Sequence, residues 1–330
     1  MKALSLFSGG LDSILSVKVI QDQGIDVLAL HFDTGFGGKQ WEKKKEYLYR
    51  ISRNYNIPLE IVDIKDHYLD DVLFSPKYGY GSAFNPCIDC HGYMFFNAAS
   101  LLEKYGGRFL ISGEVKGQRP MSQRAEALKQ VEKLSGVEGL ILRPLSAKLL
   151  PVTIPEEKGW VDRERLLDIH GRSRTRQMEL AKAYGITEYE SPAGGCLLTN
   201  ESFSNRIKDF IRYDKMDVAD IDILKFGRHM RLPGGAKLIL GKNKQDNENL
   251  SKLDYMGKYQ PILVREDVLP GPFGLISKNA SPDDLKLAAE ILLSYTKART
   301  GETYPVLLDG KEMPAVCQND KSAYAHFLIL

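Results

Sequence analysis

The sequence predicts an α/β protein, a parallel-sheet domain followed by a smaller α+β domain. Three observations predict it. From Ala3 to Ser112 short apolar runs alternate with helical periods, the pattern of strands joined by crossover helices. Ser8-Gly9-Gly10-Leu11-Asp12-Ser13 falls at the first strand–helix junction, where parallel sheets offer an anion site. Near Met216–Asp222 the composition shifts, and short strands and turns follow.

Ala3–Phe7 reads as the first strand. Asp12–Gln23 is a helix carrying Ile14, Leu15, Val17, Val19 and Ile20, stopped by Gly24. Val27–Phe32 is the second strand, Trp41–Tyr55 a charged helix and Leu59–Ile64 the third strand. The helix Tyr93–Tyr105 leads to the fourth strand, Phe109–Ser112. This alternation places helices on both faces of the sheet and ligands at the carboxyl ends of its strands. Ser8-Gly9-Gly10, Asp33-Thr34-Gly35 and Gly113-Glu114 lie at such ends. A further helix covers Arg172–Tyr184 and ends at Gly185, Pro192–Cys196 is turn-rich, and Ser204–Ile211 is helical. The expected domains are residues 1–215 and 216–330. The second is expected to hold strands at Lys237–Leu240 and Pro261–Val264 and a turn at Pro270-Gly271-Pro272. Its helix Pro282–Arg299 is capped by Ser281, with two aspartates in the first turn. A closing strand pair is expected at Val306–Leu308 and Ala323–Leu328.

The 330 residues are 43% hydrophobic and 27% charged, ordinary for a globular protein. That excludes a collagen-like chain, a disordered tail protein and a disulfide miniprotein. No apolar run approaches the ~18–20 residues of a membrane span, and the first residues lack a signal-peptide core. The expectation is a cytoplasmic protein that does not bind membranes. A net charge of +2, from 45 basic and 43 acidic residues, argues for no partner by itself. The distribution says more. Lys225–Lys244 holds six Lys/Arg and no acid, and Lys104–Lys133 holds seven basic and three acidic residues. Each is either a nucleic-acid footprint or a set of solvated faces.

The hexapeptide has the physics of a phosphate loop. Its glycines permit positive φ and close backbone approach. The helix that follows offers free N–H groups, and Ser8 and Ser13 add hydroxyls. Without a Lys-Ser/Thr pair it is not a Walker loop. Four cysteines, Cys87, Cys90, Cys196 and Cys317, suit a reducing compartment better than disulfides. Asn85-Pro86-Cys87-Ile88-Asp89-Cys90-His91 opens a helix, whose N-terminus favours thiolates. Cys87, Cys90 and Cys196 are expected to meet beside the phosphate loop. They can form a persulfide and resolving pair, or ligate a 4Fe–4S iron–sulfur cluster with one open iron. Zinc with His91 as fourth ligand is a third possibility. Cys317 is expected to be an inert buried thiol.

Ser8-Gly9-Gly10-x-Asp12-Ser13 resembles the PP-loop of the N-type ATP pyrophosphatases, which split ATP into AMP and pyrophosphate. The resemblance implies an adenine nucleotide alpha hydrolase-like, Rossmann-like domain that uses ATP and Mg2+. Ser8, Gly9, Gly10, Asp12 and Ser13 would hold the phosphates. The adenosine would lie near Leu6, Phe7, His31, Phe32 and Asp33, and Gly113 would join the nucleotide site. Asn85–Phe96 resembles the first cysteine segment of the MnmA (TrmU) 2-thiouridylases, and 193–198 (Ala-Gly-Gly-Cys-Leu-Leu) their second. Ser112–Gln123 is similar to the Gly-Glu-x-x-Gly-Gln-x-x-Ser-Gln signature of the ThiI 4-thiouridine synthetases. The three cysteines also resemble those of the TtuA-type iron–sulfur thiouridylases, without the flanking zinc-finger cysteines. Gly227–Leu232, Leu238–Asn247 and Tyr295–Arg299 resemble the RNA-binding domain of NFACT-type proteins. Two departures stand out: the PP-loop begins at residue 8, where ThiI first carries an RNA-binding extension, and residues 220–330 do not read as the β-barrel of MnmA.

Together these resemblances imply an ATP-dependent tRNA thiouridine synthetase. Its catalytic residues would be Cys87, Cys90, Cys196 and Asp12, with Cys87, Cys90 and Cys196 as any metal ligands. RNA would meet Lys116, Arg119, Arg172, Arg174, Arg228, Arg231, Lys242 and Lys244. Gln118 and Gln123 would orient the base or ATP, or simply cap and solvate. The implied partners are tRNA, a sulfur donor (a cysteine desulfurase, a carrier or sulfide) and a second copy in a homodimer. The alternatives are a PP-loop enzyme acting on a small molecule, and a non-catalytic RNA-binding protein.

Overall fold

Lys2–Leu6 forms β1, whose Ala3 and Leu4 are fully buried. A strand enclosed on both faces belongs in the middle of a parallel sheet, and β1 lies there in a computed structural model of the chain. The structure describes residues 1–38, 40–190, 195–255, 257–265, 267–318 and 320–330. The chain folds as two compact units, Met1–Thr199 and Asn200–Leu330.

In the first unit β2 (Asp26–Asp33), β3 (Leu59–Asp63), β4 (Phe109–Ser112) and β5 (Ile141–Leu142) join β1 in a parallel sheet. The order is β3-β2-β1-β4-β5. Ala3 lies opposite Val27 on one side and Phe109 on the other. The strand order reverses between β1 and β4, so the crevice for a ligand opens there. The helices are α1 (Leu11–Gln21), α2 (Trp41–Asn54), α3 (Lys65–Tyr68), α4 (Cys87–Ser100), α5 (Leu102–Tyr105), α6 (Ala125–Ser135), α7 (Ile154–Glu157) and α8 (Thr175–Ala183). A π-helical turn, Leu69–Leu73, follows α3 directly, a local winding often found near functional sites. Helix α1 is buried almost all round, from Leu11 to Ile20, and fixes the centre of the core. The helix expected from Tyr93 starts six residues earlier, so Cys87–Cys90 is its first turn.

The second unit is a six-stranded sheet of order β11-β10-β8-β9-β7-β6. Its strands are β6 (Arg228–Arg231), β7 (Lys237–Leu240), β8 (Tyr259–Val264), β9 (Gly274–Ser277), β10 (Thr303–Leu308) and β11 (Lys311–Val316). All their pairings are antiparallel. Helices α9 (Glu201–Tyr213), α10 (Val218–Lys225), α11 (Lys244–Lys252) and α12 (Pro282–Ser294) accompany it. Ser281 caps α12 by accepting from the Asp284 amide, and Ala288, Ala289, Ile291, Leu292 and Leu293 form its buried face. Cys317 is 3% exposed in this core, as expected of an inert thiol.

The domain boundary and the closing strand pair also differ from the structure. The chain divides at Thr199/Asn200, whereas the composition shift pointed to 215/216. The reason lies in α9, whose Arg206 donates to the carbonyls of Leu224 and Gly227 and whose Asp209 pairs with Arg231 and Lys237. The partner of β10 is β11 rather than Ala323–Leu328. Lys321–Phe327 is a 3-10 helix capped by Asp320, and Leu328 makes only an isolated bridge to Met230. The charged start and Pro314 of β11 concealed it, since edge strands tolerate both.

The end of β4 touches the start of α1. A Cβ on Gly113 would lie 2.5 Å from the Asp12 carbonyl carbon and oxygen and from the Ser13 amide. Gly113→Ala must push strand and helix apart, at a cost of about 1–3 kcal/mol. A melting temperature several degrees below that of the parent chain is expected. An unchanged melting temperature would contradict this contact.

Candidate functional site

The phosphate loop is clamped from behind by α2. Phe7 continues β1's register through its amide bond to Leu30, and Gly9 then turns with φ +80. A Cβ there would meet Tyr47 and Leu48 at 2.9 Å. The Tyr47 hydroxyl donates to the Gly9 carbonyl (2.7 Å), and Lys44 Nζ to the Ser8 carbonyl (2.8 Å). Lys44 also pairs with Glu190 (2.5 Å). Gly10 is the N-cap of α1 and supplies no capping side chain, which leaves the first amides of the helix for an anion. Ser13 is buried and donates to the Gly10 carbonyl (2.7 Å), while Ser8 Oγ accepts from the Gly10 amide (3.2 Å). The two hydroxyls therefore hold the loop's shape.

Asp12 faces the β1–β4 crevice. Its Oδ2 accepts from Gln118 Nε2 (2.7 Å) and from Arg174 Nη2 (3.3 Å), and Gln177 Nε2 donates to Gln118 Oε1 (3.0 Å). Asp12 Oδ1 is buried without a hydrogen-bond partner, which fits a carboxylate that ligates a divalent cation. Arg174, expected on RNA, is thus turned to Asp12. Phe32 is buried. Beside it the His31 ring stacks on Trp41, with centroids 5.9 Å apart, and its Nδ1 bonds the Phe7 carbonyl (2.8 Å). Burial pushes the His31 imidazole down to about 4, so the ring is neutral at pH 7.

Cys87, Cys90 and Cys196 lie near enough to one another to interact electrostatically. Asn85 Nδ2 donates to Cys87 Sγ (3.1 Å). The hydroxyl of Tyr68, itself 1% exposed, is hydrogen-bonded to the Cys90 thiol. Tyr68 packs on Phe36 (5.9 Å), whose carbonyl accepts from the Leu197 amide (2.9 Å) and so anchors the Cys196 segment. The charges of Cys87, Cys90 and Cys196 act on Tyr68 and on one another. Desolvation pushes the Cys90 thiol up to about 12. Cys196 is exposed as a residue, yet its thiol too rises to about 11, first by desolvation and next against the backbone bond from Leu198. Residues 192–194 of the expected turn (Pro-Ala-Gly) lie outside the described residues.

The structure does not show the expected iron–sulfur or zinc site. Among the described residues no three His, Cys, Asp or Glu side chains gather to hold a metal. Cys87 and Cys90 are engaged by Asn85 and Tyr68, and His91 is held elsewhere. Its Nδ1 lies 2.8 Å from Glu114 Oε1. Glu114, 5% exposed, also accepts from Arg143 Nε (2.9 Å) and Ser112 Oγ (3.2 Å). Desolvation raises the Glu114 carboxyl, but Arg143 and then His91 outweigh it and hold the group down at about 2. Tyr68 lay outside every motif of the sequence, and its burial is a property of the fold alone.

The basic residues divide into those held by buried or neighbouring carboxylates and those that line a groove. Arg231 binds Asp209 through two bonds (3.0 and 2.6 Å) and the Gly235 carbonyl, under the ring of Tyr213. Lys237 shares Asp209, and Lys225 pairs with Asp222. Half of the Lys225–Lys244 block is therefore internal, and Arg231 is not part of an open footprint. Arg228, Lys242 and Lys244 instead line a groove of about 680 Å3 with Lys321 and Tyr295. Arg228 lies over the Tyr295 ring at 4.7 Å. In the first unit Arg119 and Arg172 are exposed, and half-buried Lys116 donates to the Leu149 carbonyl (3.1 Å).

Comparison with known proteins agrees with both parts of the resemblance. Residues 1–134 match the family model described as tRNA methyl transferase HUP domain, the class of domain that the sheet and loop define. Residues 227–319 match the model of the NFACT protein RNA binding domain. The chain is 29% identical over 115 residues to a tRNA-specific 2-thiouridylase MnmA of Clostridium botulinum, and the match spans 32% of each chain. It thus covers about a third of that relative's length. A tRNA-specific 2-thiouridylase MnmA of Francisella tularensis subsp. novicida is 22% identical over 322 residues, 88% of this chain and 85% of that one. Among solved structures, a 4-thiouridine synthetase in complex with RNA and ATP aligns over 68% of this chain and 52% of that one, with TM-score 0.42 and 20% identity.

Glu114 generates a pH prediction. Its folded value lies below the ordinary 4.5, so its stabilisation is complete above about pH 4.5 and is lost as pH falls toward 2. Glu114→Ala leaves buried Arg143 with only a long ion pair to Glu132 (3.9 Å) and the Leu128 carbonyl, a loss of about 3 kcal/mol at pH 7. Denaturant unfolding at pH 7 and pH 3 should show the variant weaker at pH 7, with a smaller further loss on acidification. Equal acid losses in both proteins would contradict this role.

Proposed function

We propose that this chain is an ATP-dependent tRNA sulfurtransferase, which adenylates a uridine carbonyl and replaces its oxygen with sulfur carried by a cysteine persulfide. What supports the reading is a phosphate-type loop after β1 together with a CxxC pair whose Cys90 is influenced by Cys87 and Cys196 in the same unit. The free amides of α1 suit the phosphates of ATP. Mg2+, when bound at Asp12, would screen phosphate charge. The uridine oxygen attacks the α-phosphorus, the bond to pyrophosphate breaks and the N3 proton is lost. Cys196, exposed as a residue, receives sulfur from a persulfide donor. The terminal sulfur of that persulfide attacks the activated carbon, and the C–O bond breaks to release AMP. Cys87, whose Sγ accepts from Asn85 Nδ2, then attacks Cys196 Sγ. The S–S bond breaks, its electron pair stays on the base's sulfur, and the base regains its N3 proton. A Cys87–Cys196 disulfide remains for a thiol reductant to reopen.

The groove formed by Arg228, Lys242, Lys244 and Lys321 is our candidate for the tRNA backbone. Its cations suit phosphates, and its Tyr295 ring suits a base. The match of residues 227–319 to an RNA-binding domain supports this assignment.

Cysteine variants test the persulfide route. Cys87→Ser and Cys196→Ser should lose tRNA thiolation by at least about a hundredfold yet release pyrophosphate when given ATP and tRNA. Cys90→Ser should retain thiolation to within about tenfold. Full thiolation by Cys196→Ser would contradict the route, and loss of thiolation in all three variants alike would favour a shared metal cluster.

A further inference from the structure

Among the described residues several buried side-chain polar atoms lack a hydrogen-bond partner. Three of them, Asp12 Oδ1, Arg174 Nε and Gln177 Oε1, belong to a single network. An unpaired buried polar atom is costly, so three in one place mark a spot built for something that pairs with them. Two of the atoms are acceptors and one is a donor. A carboxylate oxygen and an amide oxygen suit a divalent cation or its bound water. A guanidinium N–H suits a phosphate oxygen. Both demands are met together by a cation-bound polyphosphate.

We propose that Arg174 and Gln177 complete the phosphate end of the nucleotide site. Arg174 donates to the leaving pyrophosphate, and Gln177 is a positioning residue that, through Gln118, aims Asp12 at a divalent cation. This deepens the reading of the PP-loop as an ATP site and rests on it. The two residues lie at the start of α8, more than 150 positions beyond the PP-loop in sequence, and no loop motif includes them. They reach it because α8 packs on α1. Gln177 is 0% exposed and Arg174 Nη2 is 3.3 Å from Asp12 Oδ2, so neither is an ordinary solvated helix residue. The arrangement also separates ground state from product. While Arg174 rests on Asp12, its Nε is unused. As the bond between the α- and β-phosphates breaks, negative charge builds on the leaving pyrophosphate oxygen, and a guanidinium beside it interacts more strongly than with intact ATP.

Binding of Mg2+-pyrophosphate, AMP and Mn2+ to the full chain tests the assignment, by calorimetry for the first two and by electron paramagnetic resonance for Mn2+ with ATP present. Arg174→Ala should weaken pyrophosphate about tenfold or more and change AMP less than about twofold. Arg174→Lys should recover part of the loss. Gln177→Leu should weaken Mn2+ about tenfold while leaving AMP unchanged. Pyrophosphate binding by Arg174→Ala at the parent affinity would overturn the proposal. So would equal loss of AMP and pyrophosphate together with a lowered melting temperature, because that pattern belongs to a merely structural arginine. If the parent chain binds neither ATP nor pyrophosphate, the nucleotide reading itself fails. Parent binding with unaffected variants removes only the assignment of Arg174 and Gln177.

Discussion

Contact between the end of β4 and the first turn of α1 is the constraint on which the rest of the site depends. A side chain at Gly113 would overlap the Asp12 carbonyl, and its absence lets the β1–β4 crevice close to backbone distance. Asp12 therefore stands at the mouth of the sheet's switch point, where Gln118 can reach it from the segment after β4. One residue beyond Gly113, Glu114 is buried against Arg143 and takes hold of His91 on α4. That bond ties the thiol-bearing helix to the strand that meets the phosphate loop. The proposed phosphate site and the proposed sulfur site thus share one framework.

The buried ion pair makes this framework specific at a cost. Enclosing Glu114 and Arg143 carries a desolvation penalty, offset only while both partners and their hydrogen bonds are in place. An apolar pair of similar volume could give equal stability, but it would not orient His91. Tyr68 performs a related task on the other side of the thiols. It fills space against Phe36 and Tyr93 and puts one hydroxyl beside Cys90.

The alternating strands, the phosphate loop and the CxxC helix were legible in the sequence because each is a local pattern: a period, a glycine turn, a spacing. Gly113 and Glu114 were legible as oddities at a strand end, though not for what they touch. What stayed hidden depends on partners. Lys225–Lys244 reads as a uniform basic block, yet Asp209 and Asp222 lie outside it and neutralise three of its six cations. Arg174 reads as surface charge in an Arg-rich stretch and faces Asp12 instead. Strand β11 hid behind its lysine, glutamate and proline, while Ala323–Leu328, apolar enough for a strand, winds into a 3-10 turn under the cap of Asp320. The iron–sulfur expectation rested on three sulfurs and a family resemblance, neither of which reveals that Asn85 and Tyr68 bond two of those thiols.

Coupled stoichiometry tests the central claim most directly. Persulfide-loaded protein, ATP and unmodified tRNA would be mixed for a single turnover, with pyrophosphate, AMP and thiolated nucleosides quantified together by mass spectrometry. The account predicts one pyrophosphate, one AMP and one thiouridine per persulfide consumed, with no product when either ATP or tRNA is left out. Pyrophosphate release without tRNA, or with tRNA but without any thiolated nucleoside, would contradict it.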